Sequence, residues 1–330
     1  MMAARLLVRA LRDPQGVQVA DWNALVSAAR AEQLLGSLAA RMEGRAVPPR
    51  VAAMFEAARR DSERQRTQAL WEAEMARRAL AALDVAVVLL KGTAFHVAGL
   101  EASAGRSVGD LDILVPRDAL GAVETALLAA GWEHLKSAGS YDDAYYRRWM
   151  HELPPLIHRD RDRMIDVHHT ILPPTARPKP NSARMIADSV TLESGFRVPC
   201  PADLIIHAAA HLFADGDLAG GLRNLWDIDR LLREFDSPDF RQTLDERAQL
   251  HGLGSAVALA LRLAHRLYGS PVADSRSRLS DRLFEPRLLA RNGWGQEKRK
   301  ALRFAFYVRS HWLRMPPLML AQHLWIKATR

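Results

Sequence analysis

The segment from Gly109 to Val115, Gly-Asp-Leu-Asp-Ile-Leu-Val, constrains the fold more than any other part of this sequence. Successive side chains of a β-strand point to opposite faces, so Asp110 and Asp112 share one face while the apolar residues between and after them face a core. An isolated Asp-x-Asp pair is also typical of a turn or a helix N-terminus. On an apolar strand, however, the two like charges repel, and a hard divalent cation with oxygen ligands, typically Mg²⁺, relieves the repulsion. The segment therefore predicts a strand that carries a metal site.

A third carboxylate lies on another predicted strand. Residues 164–168 alternate so that Asp166 and His168 face away from the two apolar residues between and before them. If this strand lies beside the first, three carboxylates converge, and three acids suit a two-metal site for phosphoryl chemistry. We expect two Mg²⁺ ions, one to hold a triphosphate and one to lower the pKa of an attacking hydroxyl, with Asp166 accepting its proton. His168 is expected to assist at the site or, more simply, to hydrogen-bond Asp166.

A phosphate-binding turn is predicted upstream of these acids. The apolar run 85–90 predicts a buried strand, which ends at Lys91-Gly92-Thr93 and is followed by a helix. Glycine lets the backbone approach a phosphate, the helix N-terminus offers N–H groups, and Lys91 and Thr93 add a cation and a hydroxyl. Arg106 is expected to contact the same phosphates.

In this order and spacing, these residues resemble the polymerase-beta-like nucleotidyltransferase superfamily. Its pattern is a strand, a Gly-[Gly/Ser] helix start, a strand with Asp-x-[Asp/Glu] and a distant third acid. Residues 89–115 look most like an uncharacterised bacterial branch known only as nucleotidyltransferase family proteins, and the resemblance extends over roughly residues 85–235. Two departures stand out. Gly92-Thr93 replaces the usual Gly-Ser or Gly-Gly, and Lys91 stands where the superfamily usually has no lysine.

The resemblance implies a Mg²⁺-dependent enzyme that transfers a nucleoside monophosphate from an NTP to a hydroxyl or phosphate of a small-molecule or peptide acceptor. It implies that Asp110, Asp112 and Asp166 are the catalytic and metal-binding residues. Two alternatives stay open. One is a catalytically silent member of the fold that binds a nucleotide or a partner, against which the three intact acids argue. The other is a related transfer of a sugar or phosphate group on the same scaffold.

The positive charge of the chain is concentrated at its C-terminal end. The net charge is +8, yet residues 286–330 contain ten lysines and arginines and one acid, so the rest of the chain is close to neutral. A continuous basic stripe, which a nucleic-acid channel requires, is therefore not expected, and a nucleic-acid partner is disfavoured. The basic tail is expected to be a solvated face or to contact an anionic partner.

Cysteine content and hydropathy limit the remaining classes. The only cysteine, Cys200, cannot form an internal disulfide, which excludes disulfide scaffolds and cysteine-rich zinc sites and favours a reducing cytoplasm. Charged residues interrupt the N-terminal apolar stretch, and no run of about 18 apolar residues occurs, so neither a signal peptide nor a transmembrane span is expected.

The predicted fold class is α/β (α+β), a mixed sheet flanked by helices with helical extensions on both sides. The predicted regions are helical residues 1–82, an α/β nucleotidyltransferase core at 83–200 and helical residues 201–330 with the basic tail. Asp21 is expected to cap a helix over residues 22–42, and Asp118 is expected to cap another.

Three further motifs receive weaker interpretations. His207 and His211 have the spacing of a two-histidine metal site, but packing or a polar contact near the substrate is favoured over zinc. Arg223 and Asp227 are expected to form a pair on a helix surface. The aromatic and basic segment 141–149 is expected to be either a substrate lid or an ordinary packed loop.

Overall fold

The computed structural model describes residues 2–135, 146–271, 278, 281–317 and 320 of the chain. Over these residues the strands are β1 Val88–Leu89, β2 Leu111–Leu114, β3 Trp132–His134, β4 Leu156–His158, β5 Met164–His168, β6 Val190–Thr191 and β7 Arg197–Val198. They form one mixed sheet in the order β3-β4-β5-β2-β1-β7-β6. Helical segments precede and follow this sheet, which confirms the predicted α/β fold class.

Strand β2 lies at the centre of the sheet, and all four of its residues are buried. It pairs antiparallel with β1 and parallel with β5. Both predicted strands are shorter than expected, because β1 pairs with β2 only through Val88 and Leu89 and the pairing of β2 with β5 begins at Leu111. Asp110 consequently lies just before β2 rather than within it.

The N-terminal region is helical, as predicted. The prediction of one continuous helix over residues 22–42 is wrong, because Gln33 adopts a left-handed backbone with φ +55° that interrupts the helix. The Asp21 cap is confirmed, since its side chain accepts a hydrogen bond from the backbone N–H of Ala24 at 2.9 Å. The helices are α1 Met2–Arg12, α2 Trp22–Ala31, α3 Leu35–Arg41 and α4 Pro49–Ala79.

Two helices of the α/β core follow its first two strands. Helix α5 (Lys91–Val97) follows β1 directly, and helix α6 (Leu120–Ala129) follows β2. A 3₁₀ turn over Arg117–Ala119 comes before α6, so the N-cap position belongs to Ala119 and the predicted cap at Asp118 is wrong.

The described part of the region after residue 200 is helical, as predicted, but its first helix changes geometry after Ala210. A π-helical turn over His211–Asp215 follows its last α-helical residue. Such turns are frequent at functional sites. Within the described ranges, no helix combines the length and apolarity needed to cross a bilayer. The helices are α7 Ser182–Ala187, α8 Pro201–Ala210, α9 Gly221–Phe235, α10 Pro238–Leu250, α11 Gly254–Tyr268, α12 Asp281–Leu288 and α13 Lys300–Arg314.

Part of the basic C-terminal segment is buried, which corrects the expectation of a wholly solvated face. Arg287 is 3 % exposed and pairs with Glu297 at 3.2 Å. Arg291 pairs at 2.7 Å with the buried Glu32, which follows α2. Arg291 therefore attaches the C-terminal segment to the N-terminal helices, whereas the Arg287 pair lies within that segment. Lys327, near the end of the tail, lies outside the described residues.

The central strand generates a stability prediction. Ile113 of β2 is completely buried, so Ile113→Ala removes three methyl or methylene groups and leaves a cavity. We expect the free energy of unfolding in urea to fall by about 2–5 kcal/mol. As the control, Val190→Ala at the exposed sheet edge should change it by no more than about 0.5 kcal/mol. Equal small losses in both variants would contradict the central position of β2.

Candidate active site

The parallel pairing of β2 with β5 brings the three predicted acids together. Asp112 and Asp166 are register partners on these adjacent strands, and Asp110 immediately precedes β2. One carboxylate oxygen from each of the three lies within 4.8 Å of the others. The convergence expected from the alternation of polar and apolar residues is therefore confirmed, while the catalytic and metal-binding roles of these acids stay predictions.

Asp112 is the most enclosed of the three acids, with 2 % of its surface exposed. Its Oδ1 accepts a hydrogen bond from Lys91 Nζ at 2.5 Å and lies 2.9 Å from His168 Nε2. Burial alone would raise the pKa of Asp112, but the charge of Lys91 and the contact with His168 outweigh it and hold the pKa well below its ordinary value. Asp112 is therefore an anion at neutral pH.

Asp166 is in the opposite electrostatic situation. Burial, together with the negative charges of Asp112 and Glu152, raises the pKa of Asp166 to about 7. Its Oδ1 is buried and has no hydrogen-bond partner among the described residues. A buried carboxylate oxygen beside two other carboxylates fits a hard divalent cation, which would supply both the missing ligand contact and the missing positive charge.

The sequence-based preference for a hydrogen bond between His168 and Asp166 is wrong, because the His168 ring reaches Asp112 instead. Its other nitrogen, Nδ1, lies 3.3 Å from Glu152 Oε2, and the ring of His151 stacks on it at 5.3 Å. Sequence reasoning missed Glu152 and His151. The available signal was the pair of ionisable residues just before the apolar segment 153–158.

A second group of potential metal ligands follows from this arrangement. His151, Glu152 and His168 each offer an atom within 4.8 Å of the others. His168 links this group to the three acids, because its Nε2 lies 2.9 Å from Asp112 Oδ1. Glu152 therefore lies beside the imidazole that contacts Asp112.

The four residues predicted to bind phosphate lie close to the acids or to one another. Lys91 contacts Asp112, and its backbone has a left-handed φ of +48°. Gly92 lies under the Arg106 guanidinium, and a Cβ at position 92 would overlap Arg106 Nη1. Thr93 is buried, and its hydroxyl has no hydrogen-bond partner within the described part of the chain. The absence of a side chain at Gly92 is therefore required for the position of Arg106.

Arg106 is anchored by the C-terminal helical region. Its Nε donates to Asp227 Oδ2 at 3.0 Å, and Arg223 Nε lies 3.3 Å from the other oxygen of the same carboxylate. The predicted Arg223–Asp227 pair is confirmed, but its placement on a helix surface is wrong, because both residues are buried. Asp229, two residues further along α9, points elsewhere and pairs with Arg233 at 3.0 Å.

One cavity adjoins this anchored arginine, and a second cavity adjoins the first. A cavity of about 50 Å³ is bordered by Lys91, Arg106, His207, His211 and Asn224, among others. A larger one of about 330 Å³ shares His211 and Asn224 and reaches helix α13. Burial, followed by the charge of Lys91, lowers the pKa of His207 well below its ordinary value, so this ring is neutral. His211 thus borders both cavities, whereas His207 borders only the smaller one.

The aromatic and basic segment is only partly described. Tyr141 and Tyr145 lie outside the described residues. Arg147 forms two hydrogen bonds with Glu124 of α6, at 2.6 and 2.9 Å, and the Arg148 guanidinium stacks over Trp149. The described end of the segment is therefore packed against the core.

Comparison with known proteins agrees with this geometry. A family model described as "Uncharacterised nucleotidyltransferase" matches residues 18–269, about three quarters of the chain. The match includes all the residues of the acidic cluster and of the smaller cavity. No curated protein matches the chain.

The raised pKa of Asp166 generates a prediction about stability and pH. With a folded-state pKa of about 7 against an ordinary value of 3.8, the folded protein binds an extra proton between these values. The free energy of unfolding therefore falls as the pH rises through roughly 4 to 7. In EDTA at pH 8, we expect Asp166→Asn to be more stable than the wild type, by up to about 4 kcal/mol.

The difference in the free energy of unfolding between Asp166→Asn and the wild type should disappear near pH 4, where both side chains are neutral in the folded protein. Urea unfolding at several pH values measures it. Asp160→Asn, at an exposed position, is the matched control and should follow the wild type. If Asp166→Asn is no more stable than the wild type at pH 8, the carboxyl is not held in the environment described here.

Proposed function

Because this chain belongs to the uncharacterised nucleotidyltransferase family, we propose that it transfers a nucleoside monophosphate from an NTP to an acceptor with the help of Mg²⁺. The acceptor group is a hydroxyl or a phosphate of a small molecule or peptide. The observation that carries this proposal is the convergence of Asp110, Asp112 and Asp166 at adjacent strands of the central sheet.

The three acids are proposed to hold the divalent cation. When bound, the cation would stabilise the negative charge that develops on the transferred phosphoryl group and lower the pKa of the attacking hydroxyl. Asp112 contributes a permanently charged ligand, because Lys91 and His168 keep it ionised. Asp166 is proposed to accept the proton of the acceptor hydroxyl, since its buried carboxylate has an oxygen without a hydrogen-bond partner among the described residues.

The triphosphate is proposed to bind at Lys91, Gly92, Thr93 and Arg106. Lys91 and Arg106 supply positive charge, and the missing side chain of Gly92 lets a phosphate and a guanidinium approach the same stretch of backbone. Thr93 offers a buried hydroxyl. The pairing of Arg106 with Asp227 fixes the guanidinium before the nucleotide arrives, which reduces the entropy lost on binding.

The acceptor is proposed to bind in the two neighbouring cavities. They share His211 and Asn224, and their linings extend from Lys91 to helix α13, so the C-terminal region 201–330 would shape the acceptor site while the core 83–200 carries the chemistry.

A cytoplasmic location is also proposed. Burial raises the pKa of Cys200, the only cysteine, to about 11, which makes it an unreactive thiol suited to a reducing compartment.

Isothermal titration tests nucleotide binding. We expect each NTP that binds to require Mg²⁺, and we expect binding to be lost in EDTA and in the Asp110→Ala/Asp112→Ala variant, which lacks two cation ligands. Asp84→Ala/Asp118→Ala removes two exposed aspartates and should bind as the wild type does. Failure of every NTP to bind the wild type would contradict the proposal and favour a partner-binding protein.

The position of a radioactive label tests the reaction type. When the protein is incubated with Mg²⁺, a metabolite extract and ATP, CTP, GTP or UTP, label from the α-phosphate should enter a new product. Label from the γ-phosphate should appear in pyrophosphate. Transfer of the γ-label to the product would instead identify a phosphotransferase and contradict nucleotidyl transfer.

A further inference from the structure

Lys91 occupies an unusual place for a residue expected to bind phosphate. Its Nζ lies 2.5 Å from Asp112 Oδ1, inside the cluster of acids. This contact is a salt bridge to a carboxylate that is 2 % exposed, and the three-hydrogen ammonium of lysine carries a positive charge at neutral pH. A permanent monovalent cation is therefore part of the acidic site.

The backbone at residue 91 has a conformation that is strained for a residue with a side chain. The φ of +48° lies in the left-handed region, which glycine adopts freely and a residue with a Cβ does not. Strained backbones of this kind cluster at functional sites, where the surrounding structure maintains them. The position thus favours glycine on backbone grounds and nevertheless carries a lysine whose amine reaches Asp112.

The hydrogen bonds of Asp112 limit how many metal ions it can serve. Each carboxylate oxygen has about two lone pairs. Asp112 Oδ1 uses both, one for Lys91 Nζ and one for His168 Nε2, which must donate because an ionised carboxylate only accepts. In the common bridging arrangement, a carboxylate gives one oxygen to each of two metal ions, and Oδ1 of Asp112 is already occupied. Only Oδ2 of Asp112 is left for a metal.

We propose that Lys91 is a built-in cation that takes the place of a second metal ion on Asp112, so that each chain binds one divalent cation among Asp110, Asp112 and Asp166. This inference rests on the proposed function and replaces the two-ion expectation from the sequence. An ammonium has three hydrogens. With one directed at Asp112, the others are available to a triphosphate, which a second metal ion would otherwise contact.

Electron paramagnetic resonance of bound Mn²⁺, with α,β-methylene-ATP as the non-reacting nucleotide, counts the ions directly. Two metal ions in such sites lie about 3.5–4 Å apart, close enough for their spins to couple, whereas one ion gives a simple six-line spectrum. We expect the wild type to bind one uncoupled Mn²⁺ per chain. Lys91→Met should bind two, with a coupled spectrum.

Two further variants make the test independent of folding defects at residue 91. Lys91→Gln keeps a hydrogen-bond donor without the charge and should also bind a coupled pair of ions. Lys91→Arg keeps the charge and should bind one. Lys179→Met removes an exposed lysine whose amine contacts only a backbone carbonyl and should match the wild type.

The outcomes separate the two proposals. A coupled pair of Mn²⁺ ions in the wild type, or a single ion of unchanged affinity in Lys91→Met and Lys91→Gln, overturns the role of Lys91 and leaves the nucleotidyltransferase proposal standing. Failure of the wild type to bind any Mn²⁺ overturns both.

Discussion

The register of β2 against β5 is the constraint on which the rest of the site depends. It sets Asp112 beside Asp166 on neighbouring buried strands, with Asp110 at the entrance to β2. A shift of one residue would turn one of the paired carboxylates to the opposite face and separate them. Because the apolar residues of β2 are almost fully buried, such a shift would also expose the core. Hydrophobic packing therefore maintains an arrangement that electrostatic repulsion opposes.

The surrounding charges compensate this repulsion unevenly. Asp112 accepts hydrogen bonds from Lys91 and His168 and stays ionised. Neither side chain is hydrogen-bonded to Asp166, whose pKa is raised. Glu152 affects the surroundings of both acids, since it lies beside His168, which contacts Asp112, and adds to the negative charge around Asp166. One acid is thus paired within the protein, and the other lacks a cation. The proposed metal ion would remove this difference by supplying a positive charge beside Asp166.

Sequence reasoning succeeded where the signal was local. The period-two alternation around Asp112 and Asp166 predicted two polar strand faces, and the sheet brings them together. Contacts between distant segments were not accessible, because no short pattern encodes them. The contact of His168 with Asp112 depends on the pairing of two strands, and the burial of Arg223 depends on how α9 packs on the core. The break at Gln33 was missed because its neighbours favour a continuous helix.

Three carboxylates on this register are proposed to form one cation site. Crystals grown with MnCl₂ and measured at the manganese absorption edge would locate the ion. We expect one anomalous peak between the side chains of Asp110, Asp112 and Asp166, with the Lys91 ammonium still on Asp112. A map with no peak at these carboxylates, or with manganese in the place of the ammonium, would contradict it.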